Sequence, residues 1–399
     1  MKELYFDNAA TTLVDPRVKQ EMDKYFSEEY GNPGSFNTVG LRALKVLDES
    51  RATVARCINA NPNEVIFTGS GTESINLAIQ GVAKAMKQKG KHIIISNIEH
   101  HAVLETCEYL RKDEGYDITI LQPDQYGIIS PQSVEKAIRP DTILISIMFA
   151  NNEIGTINPI KQIGEIARKN RVYFHTDACQ AGGACKLDVK QLNVDLLTLN
   201  GSKIYAPKGV GILYIRQGVM IKPIIYGGGQ ERNLRSGTEN VPYIVGFAKA
   251  MELAEQEREK DNASISKLRD KLIKGVMESI PLSILNGHPT ERLPNNVNIT
   301  FLNIEGEALL LYMNEHGICA SSGSACTSKT LDPSHVIIGI GRPYEVAHGS
   351  IRFSLGKLTT EEDIDVLLKV LPSLVQKLRE ISPVNLTLEQ VTPQIEGEN

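Results

Sequence analysis

Three side chains of this sequence are best suited to covalent and acid–base chemistry: a lysine, an aspartate and a cysteine. Lys203 ends Leu199-Asn200-Gly201-Ser202-Lys203, a polar turn beside apolar sequence, where a lysine amine could form a Schiff base with a carbonyl compound. Taken singly, a lysine is a solvated surface residue. Asp177 closes the β-rich run of His175-Thr176-Asp177-Ala178-Cys179-Gln180, at what would be the carboxyl edge of a sheet, where open α/β sheets bind ligands. An isolated acid there is a helix cap. Cys326 lies in the Ser/Gly-rich stretch Ala320 to Ser328, a composition that predicts a flexible loop. Its bland reading is an incidental loop cysteine.

A fourth feature is a run rather than a residue. Thr68-Gly69-Ser70-Gly71-Thr72-Glu73 follows a β-type run and opens a helix, so that backbone N–H groups and hydroxyls converge on the positive end of the helix dipole and form a phosphate cup. It lacks both the Gly-Lys-Ser/Thr ending of a nucleotide P-loop and the Gly-x-Gly-x-x-Gly of a dinucleotide site. On its own it reads first as a glycine turn with a Thr cap, and only the company of other residues favours the cup. The six cysteines contain no close Cys-x-x-Cys pair, which disfavours a disulfide framework, structural zinc and iron–sulfur ligation; no metal is expected. Cys57, Cys107, Cys179, Cys185 and Cys319 read as small packing residues, with Cys179, beside Asp177 and Gln180, open to oxidation.

These residues must be carried by a regular scaffold, and the chain supplies one. Short β-type runs at 64–67, 92–95, 117–121, 142–149, 172–175 and 211–215 alternate with segments of three- and four-residue apolar spacing at 73–87, 101–112 and 131–138. That rhythm predicts a mainly parallel sheet covered by helices. Residues 241–280 read as one long charged amphipathic helix with a break around Asp261-Asn262. Beyond it the pattern changes to strands at 282–285, 297–301 and 350–353 and helices at 305–315 and 360–381. We therefore expect an N-terminal segment, residues 1–14, joining a smaller unit, a large ligand-binding domain at 15–255, a small domain at 256–381, and a polar, acidic, mobile tail at 382–399.

Composition narrows the partners. The 399 residues are 41% hydrophobic and 23% charged, with a net charge of −5, so no positive field exists to hold nucleic acid or an anionic membrane. The longest strongly apolar run, 142–150, is far short of the ~20 residues that span a bilayer. The first residues lack a basic segment followed by a long apolar one, so the expected location is cytoplasmic.

The combination resembles the pyridoxal-phosphate enzymes of fold type I, and among them the NifS/IscS-type cysteine desulfurases of the class V aminotransferase-like family. The likeness runs through Tyr5 to Thr12, Gly31-Asn32-Pro33, Glu99 to Val103, Asn151 to Gly155, Gly227 to Arg232, Arg235 to Thr238, Ser321 to Ser328 and Ser350 to Gly356. It implies an α/β transferase fold: a mainly parallel central sheet with helices on both faces plus a smaller α+β domain. By this resemblance Lys203 holds pyridoxal phosphate and moves the substrate α-proton, which requires its amine pKa, ordinarily ~10.4, to be lowered. Asp177 faces the pyridine nitrogen, and His100 stacks on the ring and transfers protons; alone, His100 would be a structural hydrogen-bonder at a strand end. Asn152 and Gln180 contact the phenolic oxygen. Gly71, Thr72, Asn200 and Ser202 surround the phosphate, with Thr238 reaching it from a partner subunit, which implies a homodimer. Arg352 clamps the substrate carboxylate with its planar fork, although an Arg in a strand is equally a structural ion pair.

The implied reaction converts L-cysteine to L-alanine and leaves the sulfur as a persulfide on Cys326, for delivery to a protein acceptor such as an iron–sulfur scaffold or a tRNA-thiolation protein. Two other readings share the scaffold: a selenocysteine lyase or related lyase or transaminase, and a noncatalytic assembly or binding protein. The chain also departs from the pattern. Asn200-Gly201-Ser202-Lys203 stands where the family has Ser-x-His-Lys, losing a phosphate-binding histidine, and Gly34-Ser35-Phe36-Asn37 replaces the usual small residue and nearby histidine.

Overall fold

The apolar pentads of the first half are strands because their branched side chains pack on both faces of one sheet. In the computed structural model, which describes residues 3–323 and 332–391, β1 is Leu4–Tyr5, β2 Val65–Thr68, β3 His92–Ser96, β4 Asp117–Leu121, β5 Thr142–Ser146 and β6 Tyr173–Asp177. β7 is Leu196–Asn200, β8 Gly211–Ile215, β9 Ser283–Leu285, β10 Asn296–Phe301, β11 Ile318–Cys319 and β12 Ser350–Ser354. Seven of them form one sheet in the order β2-β8-β7-β6-β5-β3-β4, in which β8 runs against its two neighbours and the pairs among β3 to β7 are parallel. β3, β5 and β8 are buried along their whole length, whereas the edge strand β4 is exposed or half-buried except at Leu121.

One large core lies on one face of this sheet, around Phe67, Ile94, Phe174 and Phe247, and a second lies on the other, around Ile66, Ile79, Ile93 and Leu213. The unpaired edge of β2 is blunted by side chains: Glu231 accepts the Phe67 N–H at 2.8 Å, and Arg51 donates to the Val65 carbonyl at 2.8 Å.

A third core gathers Leu4 and Phe6 with Val297, Ile299, Phe301, Ile351 and Phe353 of the antiparallel sheet β12-β10-β9 and with the helix Glu361–Ile381. β1 pairs in parallel with β11. The helix Val241–Ser279 runs without interruption, contrary to the break expected at Asp261-Asn262. Those two polar residues find tertiary partners instead of ending the helix: Asp261 meets the Lys357 amine at 3.0 Å, and Asn262 donates to the Ala184 carbonyl at 2.7 Å. The stretch after Ser382, expected to be mobile, is fastened over its described part. Asn303 exchanges hydrogen bonds with the Leu386 backbone, and Val391 is buried beside Leu302 and Val346. Cys326, with residues 324–328 of the loop expected around it, lies outside the described residues.

Candidate active site

The carboxyl ends of the parallel strands open onto a cavity of about 220 Å³, and most of the residues singled out above line it: Gly71, Thr72, His100, Asn152, Asp177, Gln180, Asn200, Lys203 and Arg352. Each arrives for a local reason. Asp177 ends β6, buried, and its Oδ1 accepts the Cys179 N–H at 3.0 Å, the turn that bends the chain away from the sheet. Asn200 ends β7, and the short helical turn Gly201–Lys203 carries the lysine over the cavity, where Nζ donates to the Ala10 carbonyl. Gln180 fixes the same segment by donating to the Ala9 carbonyl at 3.0 Å. The wall formed by Ala9 and Ala10 is therefore part of the site, a role that the sequence reading leaves out although Tyr5 to Thr12 stands among its motifs.

Beside these segments the helix Gly71–Met86 brings its N-terminus to the cavity. Ser70 caps it by accepting the Glu73 N–H at 3.1 Å, and of the expected cup only Gly71 and Thr72 reach the lining. Glycine is required at 71: a Cβ there would lie 2.9 Å from the Cys179 sulfur and 3.2 Å from the Asn200 Cβ. Ser202 is buried and accepts from the Asn200 amide at 3.1 Å, so it supports the lining rather than forming it. Thr238 does not line this cavity. It faces a separate one with Gly69, Glu231 and Arg235.

His100 caps the helix His101–Glu114, its Nδ1 accepting the Ala102 N–H at 3.1 Å; a neutral ring therefore carries its proton on Nε2. Arg352 lies on β12 and lines the cavity. It ion-pairs with Asp7 at 2.7 Å and donates to the Asn152 carbonyl at 3.0 Å, while its buried Nε has no partner among the described residues.

Behind the lining are ionisable groups that sequence reasoning missed. Glu99 is fully buried; one oxygen takes the Ser96 hydroxyl at 2.5 Å and the Met148 N–H at 3.0 Å, and the other has no partner among the described residues. Burial pushes its pKa up to about 8, with the nearby Asp177 charge adding to the effect and the two donors opposing it. Glu153, likewise buried and raised, accepts the Ser334 hydroxyl. His175, between Ser146 at 2.8 Å and Thr198 at 3.0 Å, is held neutral by burial, its pKa lowered to about 4. Cys179, in contrast, lines the cavity and is named in the sequence reading; burial and the adjacent Asp177 raise its thiol well above its ordinary value, so it stays protonated. A Glu before His-His and a His two residues before an acid were the available signals, but neither reveals burial.

The family is the point at which fold and cavity meet known proteins. The aminotransferase class-V description matches residues 4–367, and the chain belongs to that family of pyridoxal-phosphate enzymes. Among its relatives, "Cysteine desulfurase IscS" of Methanosarcina thermophila is 55% identical over 383 residues, covering 96% of this chain and 94% of that protein. "Cysteine desulfurase IscS" of Dictyoglomus turgidum is 50% identical, covering 96% and 97%. Among solved structures, a "NIFS-LIKE PROTEIN" superposes with a TM-score of 0.89 at 39% identity, covering 94% of this chain and all of that one. A NifS-like protein from Rickettsia africae superposes with a TM-score of 0.85 at 31% identity, covering 94% and 99%.

The residues present fit the cofactor. A helix N-terminus crowded enough to exclude a Cβ suits the phosphate, a buried acid lining the same cavity suits a ring nitrogen, and a lysine amine lining it suits the aldehyde.

Proposed function

We propose that this chain is a pyridoxal-phosphate cysteine desulfurase that takes sulfur from L-cysteine onto Cys326, releases L-alanine, and passes the sulfur to a protein acceptor of iron–sulfur assembly or tRNA thiolation. The observation that carries the reading is the single cavity that Lys203, Asp177, His100 and Arg352 share with the helix end at Gly71 and Thr72. When bound, the cofactor supplies an electron sink for charge that develops on the substrate α-carbon.

The chain's own groups do the rest. Gly71 and Thr72, with Asn200 braced by Ser202, hold the phosphate end; Asp177 holds a proton on the ring nitrogen; Asn152 and Gln180 orient the phenolic edge. His100 covers the ring and offers Nε2 for proton transfer. Lys203 moves the α-proton at Nζ. Arg352, which lines the cavity, takes the substrate carboxylate with its planar fork. The Cys326 thiolate then forms an S–S bond to the substrate sulfur as the Cβ–S bond breaks, and the carbon product leaves as alanine after protonation.

A homodimer is part of this reading: Thr238, which in its own chain lines a separate cavity, would complete the phosphate contacts of a second copy. The exposed Phe26, Tyr30, Leu41 and Leu44 give a contact surface. A cytoplasmic setting suits the chemistry, because Cys57, Cys107, Cys179, Cys185 and Cys319 are all free thiols.

Purified protein given L-cysteine and a thiol reductant should release alanine and sulfide in equal amounts, and Lys203→Ala should release neither. Alanine formed from selenocysteine but not from cysteine would overturn the reading in favour of a selenocysteine lyase. No visible cofactor band, even after added pyridoxal phosphate, would favour a noncatalytic protein.

A further inference from the structure

Three successive residues, Glu231, Arg232 and Asn233, have left-handed backbone, with φ of 45°, 57° and 62°. Side chains other than glycine adopt this conformation only where their surroundings over-determine it. Here they do. The buried Glu231 carboxylate receives both ends of the Arg51 guanidinium, at 2.7 and 2.8 Å, and the Phe67 N–H. Arg232 donates to the carbonyls of Pro62 at 3.0 Å, Asn63 at 2.6 Å and Val65 at 3.2 Å. The segment is thus bolted to the edge strand β2, and what it delivers next is Arg235.

Arg235 goes to the cofactor cup without entering it. Its Nε donates to Glu73 Oε1 at 2.8 Å, while Glu73 Oε2 accepts the Gly69 N–H at 2.9 Å. The space is tight, since a Cβ on Gly69 would lie 2.7 Å from Glu73 Oε2. Glu73 therefore shapes the turn that leads into the helix, but it sets a negative charge in the first helical turn, next to the two residues that line the cavity. Against a bound phosphate that charge would oppose the favourable end of the helix. Only one of the two needs can be met by Glu73 itself.

We propose that Arg235 is a positioning and charge-compensating residue for the cofactor's phosphate: it neutralises Glu73 where Glu73 must stand to hold the turn, leaving the helix end able to accept a dianion. It acts through Glu73 and does not touch the cofactor. The inference rests on the reading given above, that the helix end at Gly71 and Thr72 is the phosphate site.

The test compares pyridoxal phosphate with pyridoxal, titrated by absorbance into the full-length chain freed of cofactor, with thermal melting of each variant recorded alongside. Arg235→Ala should weaken binding of pyridoxal phosphate by about tenfold or more while moving pyridoxal by less than about twofold. Glu73→Gln added to Arg235→Ala should restore most of the loss. Arg235→Gln, which keeps a donor toward Glu73 without the charge, gives the same comparison should the alanine variant fail to fold. Equal losses for the two ligands, or none, would overturn the inference. Thr72→Val separates it from its foundation: a ligand ratio moved by Thr72→Val but not by the Arg235 variants overturns the role of Arg235 alone, and a ratio that neither moves overturns the phosphate assignment too.

Discussion

Glu99 and His175 bear on the site from behind, and their burial makes opposite demands on pH. Glu99 has a folded pKa of about 8 against an ordinary 4.5, so its contribution to stability is fully present below about pH 4.5 and is lost as pH rises through about 8. His175, lowered to about 4 from 6.5, contributes stability that is present above about pH 6.5 and is lost as pH falls through about 4. Glu99→Gln keeps an oxygen for the Ser96 hydroxyl and the Met148 N–H and cannot ionise. Its melting temperature should vary less between pH 5 and 8 than that of the parent chain; an unchanged slope, measured by thermal denaturation across that range, would contradict the assignment. At this scale the sequence announces chemistry better than environment. Lys203, Asp177 and Arg352 are legible because their motifs are, whereas Glu99 lies in full view beside His100 and is passed over, because nothing in Glu-His-His says that the acid is buried against Met148.

The elements explain why one small residue matters. The helix Gly71–Met86 and the ends of β6 and β7 approach so closely at the cavity that a Cβ on residue 71 would lie 2.9 Å from the Cys179 sulfur and 3.2 Å from the Asn200 Cβ. Gly71→Ala should displace the helix end and weaken cofactor binding by about tenfold, with Cys179→Ala in the same chain recovering part of the loss. Equilibrium titration with pyridoxal phosphate reads both; wild-type affinity in the single variant would show that the end is free to give. Strands β3 and β5 are readable as apolar runs because burial on both faces forces continuous Ile and Leu. β7 is not singled out as a strand, since Leu196–Asn200 merges into the polar turn that carries Lys203. The uninterrupted helix Val241–Ser279 shows the opposite failure. Asp261 and Asn262 look like a break only until Lys357 and the Ala184 carbonyl, remote in sequence, are found beside them.

At the scale of the whole molecule the site depends on distant pieces of chain. Residues near the N-terminus supply the Ala9 and Ala10 wall and the Asp7 partner of Arg352, the large sheet supplies Asp177 and Lys203, and β12 supplies Arg352 itself. The proposed dimer adds a second chain's Thr238, which yields a complementation test: mixing Lys203→Ala with Thr238→Ala subunits should restore about a quarter of wild-type desulfurase activity, because about half the dimers are mixed and each has one intact site. No recovery over either variant alone would argue that Thr238 serves no partner. Which acceptor takes the sulfur is written on no residue discussed above, since it depends on a surface the partner reads. The claim on which the account turns is the delivery of substrate sulfur to one thiol. The protein should be given L-cysteine without reductant, its remaining thiols blocked, and its peptides weighed: the account predicts one extra sulfur on the peptide that contains Cys326 and none on that of Cys179. Extra sulfur on Cys179, or undiminished transfer in Cys326→Ser, would contradict it.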